Sequence, residues 1–368
     1  EDARGSLKEI CMNRSAQAAL VEFEGYVSEK DCITIFKAIG NLSHLTSLHI
    51  RSSVLPVTAL TAIISHPTSP VTHLKLENVT LSSKTFADYM TLVESFRICS
   101  LRIIECIELA YCDFVDQTIT IEPFLRALST IPTLEQVSVV GTKVLLPNNI
   151  SSSWNCQPLL QLLPQLRSLH IESMPDIQHE QICILSEALE NRFCTLRGLT
   201  LKNQKRISHE SIFRIAEMLQ TNVHLQELSL EVFCVEHVLW VVQALQNNKE
   251  TSLKRLAFVG DWGLDDEDDD DQAEEREELK NELRALLKMK HIQLEKLDLG
   301  NGDQALSKEM AVYLERKKKS GGEDLRQRLS SDYCAANATI GSPGSFGSSG
   351  TGIMKIASIA QAPRRVRA

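Results

Sequence analysis

One short pattern, apolar-x-x-apolar-x-apolar, returns ten times along this chain, and few folds accommodate such a rhythm. Its copies begin at Ala18, Leu45, Val71, Ile104, Leu134, Leu166, Leu196, Leu225, Leu253 and Leu294, at steps of 27, 26, 33, 30, 32, 30, 29, 28 and 41 residues. A near-constant period of this length implies an array, because each unit is too small to bury its own apolar face and must stack on its neighbours. The one long step holds an acidic run, so the rhythm is interrupted there by an insertion.

Within a unit two periodicities follow one another. Alternating apolar residues read as a short strand, and the next segment, apolar every three to four residues, reads as a helix. The unit from Leu196 to His224 is the clearest. Its strand is Leu199-Thr200-Leu201, Ser208 stands where a helix cap is needed, and Ile212, Ile215, Ala216 and Leu219 share one helical face. Ser28, with Asp31 three residues on, announces an earlier helix carrying Ile33, Ile35, Phe36 and Ile39. His179-Glu180 and His209-Glu210 stand at the same offset in consecutive units, so the units are in register. The expected class is α/β.

These copies resemble the leucine-rich repeat family, in the long-repeat type seen in ribonuclease inhibitor, over about residues 18 to 305. The resemblance implies a curved solenoid, a horseshoe with parallel strands on its concave face and helices on its convex face. The layers themselves require the curve, since parallel strands stack about 4.8 Å apart and packed helices about 8–10 Å. The family places Asn or Cys at the ninth position of the repeat. Here that position holds Tyr26, Ser53, Val79, Cys112, Thr142, Met174, Gln204, Phe233, Asp261 and Gly302, of which Cys112 and Thr142 alone suit the role, so a divergent array is expected. The expected organisation is a flank or cap over residues 1–17, about ten units over 18–319 with an acidic insertion at 265–278, and a disordered Gly/Ser-rich tail with a basic end over 320–368.

Side chains alternate along a strand, so positions five and seven of each copy are expected on the open face of the sheet. Arg51, Lys75, Glu77, Glu108, His170, Glu172, Lys202 and Glu231 form the expected partner-binding surface there. Their signs alternate across the first three units, as Glu24, Arg51, Glu77 and as Glu22, His49, Lys75. A second expected site, for a basic partner, is the run Asp265, Asp266, Glu267, Asp268, Asp269, Asp270 and Asp271.

Charge and composition exclude several classes. The net charge is −9, and the stretch from Asp265 to Glu278 alone carries eleven acids and one Arg, so the remainder is nearly neutral and offers no basic stripe for nucleic acid. No apolar run reaches the roughly 18–20 residues of a membrane span, and the first 17 residues are too charged to read as a secretory signal. Ten scattered cysteines without a CxxC pair read as reduced, small apolar residues of a cytoplasmic protein. The basic cluster Arg316-Lys317-Lys318-Lys319 extends that expectation to the nucleus, although it equally complements the end of a helix.

No catalytic constellation emerges. Neither His-Glu pair is followed by a second His at the spacing of a zinc protease, so both read as first-turn helix residues, and no metal, cofactor or catalytic residue is expected. The function expected is that of a protein-binding scaffold, a monomer on its own and not an enzyme. The alternative is a regulator of an enzyme, either an inhibitor or a GTPase activator resembling the Ran GTPase-activating proteins, for which Arg51 after an early strand is the one candidate residue.

Overall fold

The computed structural model describes residues 6–12, 17–24, 28–66, 69–113, 122–141, 157–172, 179–202, 207–260, 270–300 and 306–317. Those up to Arg316 belong to one compact unit, and a second unit begins at Lys317. The strands of the first unit are β1 (Ser6–Met12), β2 (Ala18–Glu24), β3 (Ser47–Pro56), β4 (His73–Ser83), β5 (Ile103–Ile107), β6 (Ala110–Asp113), β7 (Gln136–Val140), β8 (Ser168–Glu172), β9 (Gly198–Lys202), β10 (Glu227–Glu231), β11 (Arg255–Val259) and β12 (Lys296–Asp298). The helices between them are α1 (Glu29–Gly40), α2 (Val57–Ile64), α3 (Phe86–Ile98), α4 (Glu122–Leu128), α5 (Gln157–Leu160), α6 (His179–Glu190), α7 (His209–Leu219), α8 (Val235–Asn247) and α9 (Asp270–Lys288).

The class is α/β, as expected. Among the described residues one open sheet takes its strands in chain order, with β6 alone off the path as a second neighbour of β4. From β2 onward the pairing is parallel throughout, while β1 adds an antiparallel strand at one edge. Parallel neighbours need a crossover, and the helices supply it. Positions four and six of the repeat form the core. Leu48, Ile50, Leu74, Leu76, Leu199 and Leu230 are all buried, and each such leucine contributes about 1.5–3 kcal/mol by leaving water.

Strand register corrects two of the ten copies. Ala19 pairs with Leu48 and Val21 with Ile50, so the first copy lies two residues earlier than the start at Ala18, and Glu22, not Glu24, stands beside Arg51. Ile104 pairs with Leu74 and Cys106 with Leu76, so the fourth copy begins at Leu101. Cys106 is therefore a fully buried core residue at position six. The aliphatic residues Ile107 and Leu109 mimic the pattern three residues out of phase, which is how the sequence conceals the true frame.

The helices start where their caps dictate. Ser208 accepts from Ser211 N at 3.2 Å and Ser28 from Asp31 N at 3.2 Å. The fullest cap begins α3, where Thr85 Oγ1 accepts from Asp88 N and Asp88 Oδ2 accepts in return from Thr85 N at 2.9 Å. Thr85→Ala removes one of these reciprocal bonds and is expected to cost about 1 kcal/mol, read as a lower urea midpoint with an unchanged slope.

The acidic run is only partly a loop. Asp265 to Asp269 lie outside the described residues, but α9 begins at Asp270, nine residues before Leu279, so residues 270–278 of the expected insertion are helical. Acidic side chains favour the positive end of a helix, and the following Gln, Ala and Glu residues are good helix formers. Leu279, Leu283, Leu286 and Leu287 bury the apolar side of α9, as their spacing predicts. The tail over 320–368 lies outside the described residues.

Of the expected ninth positions Tyr26, Thr142, Met174, Gln204, Asp261 and Gly302 lie outside the described residues, while Val79 is a buried apolar residue. The sharp corner comes one place earlier, at Asn78, Glu108, Gly141 and Gly260, all with positive φ. Beyond that corner β3 and β4 continue as strands, Ser53 to Pro56 pairing with Val79 to Ser82, with Leu55, Val79 and Leu81 fully buried. With the fourth copy starting at Leu101, Cys112 falls at position twelve, where it pairs with Ser82 in β6. Side chains bridge successive units at the opposite end, where helix returns to strand. Asn222 Nδ2 donates to Leu189 O at 2.7 Å, and Asn248 Nδ2 donates to Leu219 O and to Asn222 O, each at 2.7 Å. Thr133, Gln165 and Thr195 likewise donate to backbone carbonyls about one period earlier, those of Leu101, Ile131 and Leu166.

Candidate functional site

Position seven forms one continuous row across the sheet. Register carries it through Glu22, Arg51, Glu77, Ile107, Val140, Glu172 and Lys202, side by side on seven successive strands of the path. The row is charged at both flanks and apolar in the middle, where Ile107 and Val140 stand opposite one another and half-exposed.

The first flank is organised around Glu77. Its Oε2 lies 2.9 Å from Lys75 Nζ and 2.9 Å from His49 Nε2, and its Oε1 lies 3.4 Å from Arg51 Nε. The hydrogen bond from Lys75 holds the Glu77 carboxyl below the ordinary carboxylate range, while partial burial and Lys75 push His49 down. Next to this group His73 Nε2 lies 3.1 Å from Glu105 Oε1.

The second flank is Glu172, with His170 Nε2 at 2.8 Å and Lys202 Nζ at 3.4 Å from its Oε2. Burial pushes this carboxyl up, but the bonds from His170 and Lys202 outweigh it and the net shift is downward. Such part-exposed pairs are each worth only about 0.2–1 kcal/mol, so these clusters contribute little to holding the sheet together.

Six of the eight expected surface residues thus gather into two clusters, Arg51, Lys75 and Glu77 in one and His170, Glu172 and Lys202 in the other. Glu231 ends β10 at the same register, beside Gly260. Glu108 does not belong to the row. It lies one residue past β5 in the left-handed corner, its N–H donating to Val140 O at 2.8 Å. The three-residue frame slip put Glu108 where Glu105 belongs, and Glu105, opposite Lys75, is the surface residue that sequence reasoning missed. A parallel row at position two was missed as well. There Arg102 Nε donates to Glu135 Oε1 at 2.8 Å and Arg167 Nε lies 3.6 Å from the other carboxylate oxygen. Of the acidic site, Asp265 to Asp269 lie outside the described residues, and Asp270 and Asp271 open α9.

A second cluster sits where strands give way to helices. His209 is the first residue of α7, Cys234 is the N-cap of α8 and His237 follows it in the first turn. His237 Nε2 lies 3.0 Å from His209 Nδ1, and one ligand atom from each of the three residues lies within 4.8 Å of the others. His237 is 1% exposed and its Nδ1 is buried without a hydrogen-bond partner. Burial and the neighbouring His209 push the imidazole of His237 down to about 4, and burial raises the Cys234 thiol. Trp240 and Phe213 wall the site, with the Trp240 ring 5.6 Å from His237 and 6.3 Å from His209.

Among the described residues no helix is long and apolar enough to cross a membrane. No protein-family model matches the chain, and no curated protein is similar to it. Among solved structures the chain is similar to one titled leiomodin-1 actin-binding site 2, at 20% identity and a TM-score of 0.38, over 48% of this chain and 97% of that one. That likeness is too distant to carry an argument about function.

Proposed function

We propose that the chain is a leucine-rich-repeat solenoid of the long-repeat type, and that it serves as a scaffold binding another protein across its sheet face, with no catalytic activity of its own. The observation that carries this reading is the position-seven row, in which charged clusters at Glu77 and Glu172 flank the half-exposed apolar pair Ile107 and Val140. A dry centre inside a polar rim is the anatomy of a protein interface. The polar clusters are worth too little to the fold to explain the row as internal bracing. A protein acting inside the cell suits the free thiols of Cys32, Cys99, Cys106, Cys183, Cys194 and Cys234. Arg51, on which the GTPase-activator reading rests, is engaged with Glu77 on the sheet.

The test is quantitative affinity capture from a cytosolic lysate with three chains, the parent, Ile107→Asp and Glu172→Lys. All three should show the same far-ultraviolet circular dichroism, since both side chains face outward. A partner bound through the row should fall about tenfold or more in recovery with Ile107→Asp, as for a central anchor, and less with Glu172→Lys at the rim. Equal recovery by all three would remove the sheet face from consideration and direct attention to the acidic run.

A further inference from the structure

We propose that His209, Cys234 and His237 form a binding site for a divalent metal ion of the zinc class, clipping together the two repeats that supply α7 and α8. The site joins side chains 28 residues apart, one repeat, at the N-terminal ends of neighbouring helices. Stacking of the units sets His209 beside α8, and the Cys-x-x-His spacing at the start of α8 brings the other two ligands to the same turn.

Geometry and chemistry agree. A tetrahedral ion with metal–nitrogen bonds near 2.0–2.1 Å and metal–sulfur bonds near 2.3 Å holds its ligand atoms roughly 3.3–3.6 Å apart. The two ring nitrogens already stand at 3.0 Å, and all three ligand atoms lie within 4.8 Å. Two imidazoles and a thiolate are the donors of Zn²⁺ and its softer relatives, not of Mg²⁺ or Ca²⁺, which take oxygen.

Coordination through His237 Nε2, the nitrogen that faces His209, places the ring proton on Nδ1, which is buried without a partner in the protein. Cys234 is the N-cap of α8, and the backbone N–H groups of Glu236 and His237 approach its sulfur, which favours the thiolate that a metal needs. The positive ends of two helices oppose a cation here, and the first-turn acids Glu210 and Glu236 offset them. Binding releases the thiol proton to the buffer and leaves the fourth coordination position open on the side of the solvent-exposed His209.

The experiment titrates the full, reduced, chelator-treated chain with Co²⁺ and displaces it with Zn²⁺. A thiolate-to-cobalt charge-transfer band that saturates at one ion per chain, with a matching change in Trp240 fluorescence, is expected. Cys234→Ser should abolish that band, and His209→Ala, at an exposed position, should weaken affinity by about a hundredfold or more. Cys183→Ser is the control, because Cys183 Sγ lies 3.3 Å from His179 Nε2 in the preceding helix. It should change nothing. No saturable band, a band that survives Cys234→Ser, or one that disappears with Cys183→Ser would each overturn the assignment.

Discussion

Replacing Gly260 with Ala is expected to cost about 2–5 kcal/mol, one of the two largest losses that a single substitution outside the apolar core should produce. Gly260 turns the chain after β11 at φ +117°, and a Cβ there would stand 2.4 Å from Val232 O. No rotamer relieves that contact, because the backbone fixes the Cβ and its partner is a backbone oxygen. Nor can the facing strand withdraw freely, since Val232 N donates to Val259 O at 2.8 Å just before the corner. The control is Gly198→Ala. Its Cβ would crowd the Ser168 hydroxyl at 3.2 Å and otherwise make ordinary contacts at 3.7 and 3.9 Å, so that change should cost under about 1 kcal/mol. Urea midpoints of the two variants provide the comparison. In an array the damage stays local at first, so amides of β11 and β12 should exchange faster than those of β4. Equal midpoints for Gly260→Ala and Gly198→Ala would show that the corner has room to relax.

The same corner shows why parts of this structure are legible in the sequence and others are not. Leu196 to His224 reads correctly because strand, cap and helix face all agree: Leu199, Leu201, Ile212, Ile215, Ala216 and Leu219 are buried where their spacing puts them. Around Ile104 the local pattern permits two frames, Leu101-Ile104-Cys106 and Ile104-Ile107-Leu109. The aliphatic frame looks better only because Cys is not counted as a core residue. Pairing with Leu74 and Leu76 decides it, and that information is held by the neighbouring strand. The available signal was the corner: Asn78, Gly141 and Gly260 all stand at position eight, and aligning Glu108 with them recovers the frame and with it Glu105.

The His209, Cys234 and His237 cluster was hidden for a different reason. Metal-binding motifs are sought within one helix, and neither His-Glu pair has a second His at helical spacing. In a stacked array, however, residues one period apart are neighbours. The search that finds this cluster asks which His and Cys recur at the repeat length, and His209 and His237 are 28 residues apart. The sheet surface obeys the same logic. Arg51 and Glu77, and likewise Glu172 and Lys202, are distant in the chain and adjacent in the row only because every unit contributes its position seven to the same line.

Asn248→Ala should cost about 2–4 kcal/mol, although it removes almost no apolar contact. The Asn248 side chain is buried, donates to Leu219 O and Asn222 O, and accepts from Glu250 N at 3.0 Å. Its loss leaves two carbonyls of the preceding unit without their side-chain donor at a buried position. Asn222 repeats the arrangement one unit earlier, donating to Leu189 O and accepting from the backbone of His224 and Leu225. The two amides are in series, because one of the acceptors of Asn248 is the backbone carbonyl of Asn222 itself. Their substitutions should therefore be non-additive: once Asn222→Ala has loosened that carbonyl, Asn248→Ala should cost about 0.5–2 kcal/mol less than it does alone. A double-mutant cycle on urea unfolding measures this directly. Strict additivity would mean that the two bridges brace separate interfaces, and that the link between the three units is carried by their leucines alone.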